Sequence, residues 1–176
     1  MVQHFYAKEI GIYLRDQLKT AMVAALGEDG IKIVMYGDIR WAAQEQDFAK
    51  RIPGLFIATK RIRNRIVSLY QHYESEYELR IVYVDHIKKG FTSADDCHED
   101  NALRVLLVAD SMIENILLNE PTNLQDDLTR AQVLALEIPD IDLDPPESQY
   151  IPGLHTDVLA AAITVRVTLE MWKEVP

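Results

Sequence analysis

Residues 160–172 read AAAITVRVTLEMW, and from Ile163 onward apolar and polar side chains alternate along this stretch. Successive side chains of a β-strand point to opposite faces of a sheet, so a period of two predicts a strand with one buried face. The predicted buried face carries Ile163, Val165, Val167, Leu169 and Met171, and the other face carries Thr164, Arg166, Thr168 and Glu170. This is the clearest element of the chain.

Other strands are predicted upstream of it. Residues 31–36 form a short strand, Pro53-Gly54 leads into a strand that starts at Leu55, and 131–138 form another. Between these, 65–73 and 77–87 are predicted to form a hairpin, with a turn at 74–76. The returning strand has apolar residues on both faces, which predicts a central strand or one covered by a partner.

Two helices complete the predicted architecture. The first spans 5–26, where Ile10, Leu14, Leu18 and Met22 recur every four residues, and Gly27 follows as a C-terminal cap. The second spans 94–119, opening on an acidic first turn and ending before Pro121.

The helices do not alternate with the strands, so the predicted fold class is α+β. We expect one domain over residues 1–176, with an antiparallel β-sheet and two long helices packed on one of its faces. Two segments, 37–53 and 139–152, lack a clear period, and we expect them to be extended arms.

Charge is distributed unevenly along the 176 residues, which carry a net charge of −10. Residues 50–92 hold 9 basic and 4 acidic residues, a net charge of +5, whereas 93–147 hold 2 basic and 14 acidic residues, a net charge of −12. An acidic chain is a poor static binder of nucleic acid. Segments of opposite sign could instead join copies of the chain head to tail, or could simply keep the surface solvated.

The basic segment contains a cluster without acidic residues: Lys60, Arg61, Arg63 and Arg65. Such a cluster can contact an acidic protein surface or a nucleic-acid backbone. It can also be an edge strand whose charges prevent aggregation.

No catalytic or metal-binding pattern is apparent. Asp140, Asp142 and Asp144 alternate like the start of a calcium loop, but Pro145 and Ile151 occupy the positions that would need Gly and Glu. Cys97 and His98 are adjacent and would not converge on one ion from a helix. Phosphate-binding and hydrolase motifs are missing from the sequence. We therefore predict no enzyme activity, metal or cofactor.

A reducing cytoplasm suits the chain. Its single cysteine cannot form an internal disulfide. Its longest uncharged apolar run, 158–165, is shorter than the roughly 20 residues of a membrane helix.

The order of these elements resembles the tail terminator family of long-tailed phages and prophages, also called minor tail or tail-completion proteins. The resemblance is carried by the helix at 5–26, the PGLFI strand entry at 53–57, the strand at 77–84, the helix at 101–118 and the strand at 160–172. It implies a ring, hexameric in this family, that caps the tail tube and joins it to the head connector. DNA would only pass through its channel, and the protein would end in the virion tail.

A ring of this kind uses two different patches on each subunit. We expect a basic patch of Lys60, Arg61, Arg63 and Arg65 to meet an acidic patch of Asp95, Asp96, Glu99 and Asp100. Trp41, Phe48 and Tyr150 are the expected aromatic contacts of the arms, since aromatic residues dominate interface hot spots.

Three other functions stay open at the level of sequence. The chain could be a head–tail connector or another tail adaptor. It could be a small cytoplasmic enzyme that gathers His86, His98, His155 or Cys97 only in the fold. It could also be a nucleic-acid-binding regulator that uses residues 60–65.

Overall fold

The computed structural model describes residues 6–27, 31–42, 48–66, 72–86, 131–142 and 158–172. Their elements in chain order are α1 (Ala7–Leu26), β1 (Ile33–Tyr36), α2 (Ile39–Ala42), a 3-10 helix (Phe48–Arg51), β2 (Gly54–Ile66), β3 (His72–His86), β4 (Ala131–Asp142) and β5 (Val158–Trp172). The five strands form one sheet in the order β1-β2-β3-β5-β4. The α+β class is confirmed.

The alternation that predicted β5 corresponds to the two faces of the sheet. Ile163, Val165, Val167, Leu169 and Met171 are all buried in the core beneath α1. The intervening side chains on the opposite face are only partly buried.

The central position predicted for the strand at 77–87 is also confirmed. β3 lies between β2 and β5 and pairs antiparallel with both. Leu79 and Ile81 belong to the core beneath α1, while Val82 and Val84 belong to a second core on the other face. A strand that is covered on both faces needs apolar residues on both.

The first helix packs on the sheet through the predicted stripe. Ile10, Leu14, Leu18 and Met22 are at most 1 % exposed. Gly27 ends α1 with a φ of 77°, and its N–H donates to the Val23 carbonyl at 2.9 Å. Glycine adopts this left-handed conformation without the steric cost that other residues have.

The sheet is mixed and not purely antiparallel, which corrects one prediction. β1 pairs parallel with β2 from Ile33↔Gly54 to Tyr36↔Ile57. Parallel neighbours need a crossover of about a dozen residues or more. The segment 37–53 supplies this crossover and contains α2 and the 3-10 helix.

The prediction of two helices on one face is borne out only for α1 among the described residues. The predicted second helix, 94–119, lies outside them.

The predicted turn at 74–76 was wrong, because these residues lie within β3. Glu74, Ser75 and Glu76 pair with Arg65, Asn64 and Arg63 of β2. Ser75 is fully buried, and its hydroxyl donates to Asn64 Oδ1 at 2.6 Å. A polar run that looks like a turn in isolation is here a row of cross-strand partners.

The described parts of both predicted arms belong to the domain. Ile39, Phe48 and Ile52 are buried in the second core, against the face of the sheet opposite α1. The first four residues of the other segment, 139–142, continue β4, and 143–152 lie outside the described residues.

Candidate subunit interface

The sheet formed by the described residues has two outer edges, and within those residues each edge lacks a second strand neighbour over part of its length. β1 covers only 54–57 of β2, so the rest of β2 has β3 as its single strand neighbour among the described residues. At the other end of the sheet, β4 has a strand neighbour only in β5 within the same residues. In an antiparallel pair, alternate residues direct their backbone N–H and C=O groups away from the partner strand, so such edges can accept another strand.

The open part of β2, residues 60–66, will be called the basic edge. It contains the four basic residues that the sequence singled out: Lys60, Arg61, Arg63 and Arg65, all exposed. Lys60 Nζ lies 3.0 Å from Asp38 Oδ2, and Arg63 Nη1 lies 3.4 Å from Glu76 Oε1. Arg61 and Arg65 take part in no ion pair within the part of the chain that the structure describes.

Asp38 anchors the start of the basic edge. Its Oδ1 accepts from the Arg40 backbone N–H at 2.9 Å, and its Oδ2 accepts from Arg40 Nη2 at 2.7 Å and from Lys60 Nζ at 3.0 Å. The hydrogen bonds from Arg40, and to a smaller extent the hydrogen bond from Lys60, hold the pKa of the Asp38 carboxyl well below its usual range. Partial burial opposes this effect but does not cancel it. Lys60 is therefore tied to the crossover after β1.

The other three basic residues of this edge each lie opposite a glutamate of β3. Arg61, Arg63 and Arg65 stand opposite Glu78, Glu76 and Glu74 of β3 in the strand register. The basic cluster has no acidic residue within its own stretch of sequence, but the fold supplies a row of them one strand away. This arrangement weakens the reading of residues 60–65 as a nucleic-acid site, because adjacent carboxylates offset the positive potential.

One cross-strand row continues through four strands with alternating charge. Arg61 of β2 is opposite Glu78 of β3, Glu78 is opposite Arg166 of β5, and Arg166 is opposite Glu137 of β4. Arg166 Nη2 is 3.8 Å from Glu78 Oε2, and Arg166 Nη1 is 3.8 Å from Glu137 Oε2. The row starts with an exposed cation at one edge and ends with a carboxylate, 59 % exposed, at the other.

Residues 134–142 of β4 will be called the acidic edge. They contain Glu137, Asp140 and Asp142 and no basic residue. Arg80 secures the far end, with Nη2 2.9 Å from Asp142 Oδ2 and Nη1 3.5 Å from Asp140 Oδ2. Asp140 and Asp142 thus form ion pairs with Arg80 across the sheet.

Both edges also expose large apolar side chains. Among the described residues, the exposed large hydrophobic side chains are Ile62 on the basic edge and Leu134 and Ile141 on the acidic edge, with exposures of 37 %, 50 % and 38 %. Exposed apolar groups concentrated on edge strands favour an interaction surface over a solvated one. Leu134 and Ile141 were not among the interface residues predicted from the sequence.

The structure does not describe the side chains of most other predicted interface residues. Asp95, Asp96, Glu99, Asp100 and Tyr150 lie outside the described residues. Trp41 lies in α2, and its side chain is not among those described.

Phe48 packs inside the domain. It is 4 % exposed, and its ring centroid lies 5.5 Å from that of Phe56. Contacts within the chain account for this side chain, so an arm contact through Phe48 would require it to leave the second core.

The described ranges contain neither a candidate metal cluster nor a candidate membrane-spanning helix. No group of three or more His, Cys, Asp or Glu side chains there is arranged to hold a metal ion. No helix among those residues is both long and apolar enough to cross a membrane.

Comparison of the chain with protein-family models and with curated protein sequences finds no match.

Proposed function

We propose that this chain is a structural subunit that assembles head to tail with copies of itself into a closed ring, and that the ring is the terminator of a phage or prophage tail. The observation that carries the proposal is the pair of open edges at opposite ends of one sheet. They have opposite charge, and each exposes apolar side chains.

The strand directions favour head-to-tail association. β2 and β3, β3 and β5, and β5 and β4 are all antiparallel pairs. β4 therefore runs opposite to β2, so the β4 of one copy placed beside the β2 of the next continues the antiparallel alternation. Each contact joins two different patches, and such heterologous contacts close into rings when the rotation between subunits permits.

The resemblance to tail terminators gives this ring its proposed role. It would form in the cytoplasm of a bacterial host, cap the completed tail tube, join it to the head connector and remain in the virion tail. A net charge of −10 suits a channel through which DNA slides, because an acidic wall repels the phosphate backbone. In this proposal the protein performs no catalysis and needs no cofactor.

The first test is the mass of the purified protein in solution by light scattering, followed by negative-stain imaging. We expect a hexameric ring with a central channel. A chain that stays monomeric at high concentration would refute the proposal.

The second test asks which particle the ring binds. Purified rings are mixed with tail tubes and with head connectors of a candidate phage, and bound rings are located by imaging. We expect rings at the head-proximal end of the tail tube. Binding to the head portal alone would instead identify a head–tail connector.

A further inference from the structure

We propose that residues 61–64 of β2 in one copy pair antiparallel with residues 134–137 of β4 in the next copy, with Arg61 opposite Glu137 of its neighbour. The inference rests on the proposed assembly and specifies its interface. It replaces the acidic patch expected at Asp95–Asp100 with a strand whose position the structure describes.

The charge row sets the register. Within one copy the row runs Arg61, Glu78, Arg166, Glu137 and alternates in sign at every step. If Arg61 of the neighbouring copy lies opposite Glu137, the next residue of the row is again a cation. The alternation of charge then continues from one sheet to the next. Opposite charges on directly paired residues stabilise an antiparallel pair.

The same register brings apolar groups together on the other face. The neighbouring row runs Ile62, Tyr77, Val167, Leu136, and its two inner members are fully buried beneath α1. A neighbouring copy would place the partly exposed Ile62 beside Leu136, with the half-exposed Leu134 in the same stretch. The interface would thus extend both the charged face and the apolar face of the sheet.

Structural features limit the pairing at both ends. Toward the start of the basic edge, Lys60 is held by Asp38 and its neighbour Thr59 precedes an irregularity in the register. At this same end of the antiparallel pairing, the register of β4 with β5 shifts between Glu137 and Asp140, and Pro139 in that interval has no N–H to donate. At the other end, the register of β4 with β5 shifts again between Val133 and Ala135. The regular pairing is therefore expected to be short and centred on Arg61 and Glu137.

Like edges are disfavoured as partners. Two acidic edges would bring together Glu137 and Asp140 of both copies, and two basic edges would bring together Arg61 and Arg65 of both. Like charges placed together across an interface suppress the wrong pairing, so the chain selects the opposite edge.

Engineered disulfides test the register. In a Cys97→Ser background, which removes the single native cysteine, Arg61→Cys and Glu137→Cys proteins are mixed under mild oxidation. Directly opposite residues have Cα atoms about 4.5–5.5 Å apart, which suits a disulfide. We expect two-chain species from the mixture, and a ladder of linked chains when one chain carries both cysteines.

Two controls make the test specific. Asp140→Cys replaces Glu137→Cys as a register control, because three residues of strand displace the thiol by about 10 Å, beyond disulfide reach. Lys19→Cys, on the exposed side of α1, replaces Arg61→Cys as a control for random collision. Neither control pair should cross-link.

A charge reversal gives an independent readout. Arg61→Glu should weaken self-association about tenfold or more, because it places a carboxylate against Glu137. Lys19→Glu makes the same change of charge on α1 and should leave association unaltered. The thermal unfolding of both variants, measured on dilute protein, verifies that each is folded.

The outcomes separate the two proposals. Rings that form without a 61–137 cross-link, and that tolerate Arg61→Glu, would overturn this interface and leave the proposed function standing. Protein that is monomeric under all conditions would overturn both.

Discussion

Asp38 shows how one side chain connects separate parts of the chain. Its carboxylate joins the start of α2, through Arg40, to the basic edge, through Lys60. The Asp38 side chain is partly buried, with 15 % of its surface exposed, whereas the Arg40 side chain is 57 % exposed. Charge-assisted hydrogen bonds in such a half-open site are stabilising, but solvent reduces their contribution.

Replacing Asp38 with Asn should lower the free energy of unfolding at pH 7 by about 0.5–1 kcal/mol, because the neutral amide keeps the shape but loses the charge. The pKa of Asp38 is lowered in the folded chain. Its charge therefore stabilises the fold above the unfolded-state pKa of about 4, and this stabilisation is lost as the pH falls toward the folded-state pKa.

Urea unfolding of both proteins between pH 7 and pH 2 measures this effect. The stability difference should be largest near neutral pH and should shrink steadily below about pH 4. Asp16→Asn, at an exposed position on α1, is the control and should change stability little. A difference that stayed constant across the acidic range would show that the charge of Asp38 does not matter.

At the scale of elements, α1 and β1 meet at a glycine. A Cβ added at Gly11 would overlap the ring of Tyr36, whose hydroxyl lies 3.1 Å from Thr59 Oγ1. Alanine normally stabilises a helix interior by about 1 kcal/mol relative to glycine. Here the missing side chain lets the last residue of β1 lie against the helix.

Gly11→Ala should therefore destabilise the protein by about 1–3 kcal/mol, the usual cost of overpacking a well-filled core. Thermal or urea unfolding measures it. Combining Gly11→Ala with Tyr36→Val should recover part of the loss, because the smaller side chain removes the overlap. A stabilised Gly11→Ala protein would mean that the Tyr36 ring moves away at little cost.

How far the sequence predicts these elements depends on how local their determinants are. β5 and α1 were recognised because the periodicity of each lies within its own residues. The prediction of a turn at 74–76 was wrong because Glu74 and Glu76 lie opposite Arg65 and Arg63 of the neighbouring strand. A single sequence does not reveal which strand a polar residue will face.

The parallel β1 was missed for a related reason. Four residues show too little period to indicate their partner, and the crossover at 37–53 was interpreted as an arm. β4 was ended too early because Pro139 and Asp140 resemble a turn, although an edge strand tolerates proline. For the candidate interface, the four basic residues of the basic edge were predicted from the sequence. The acidic edge was not, because only the strand register shows that Glu137 lies in the same cross-strand row as Arg61.

At the scale of the whole molecule, the sheet is electrically polar from edge to edge. If copies join through these edges, the association should weaken as ionic strength rises, because exposed charges are screened over about 10 Å at 0.1 M salt.

Sedimentation velocity between 0.05 and 0.5 M sodium chloride would measure the effect. We expect the fraction of assembled protein to fall with salt but not to vanish, since Ile62 and Leu134 add an apolar contribution. Arg61→Gln should flatten this salt dependence, and Lys19→Gln should leave it unchanged. Assembly that strengthens with salt would indicate an interface held mainly by apolar contacts elsewhere.

The shortness of β1 has a consequence for how such a subunit could be switched off. β1 has 4 residues and β2 has 13, so among the described residues most of β2 has no strand neighbour on that side. A few more residues in β1 would seal this gap from within the chain, leaving every contact residue unaltered. A form of the subunit that assembles and a form that stays monomeric could thus differ by one small insertion in β1, with identical residues at the interface itself.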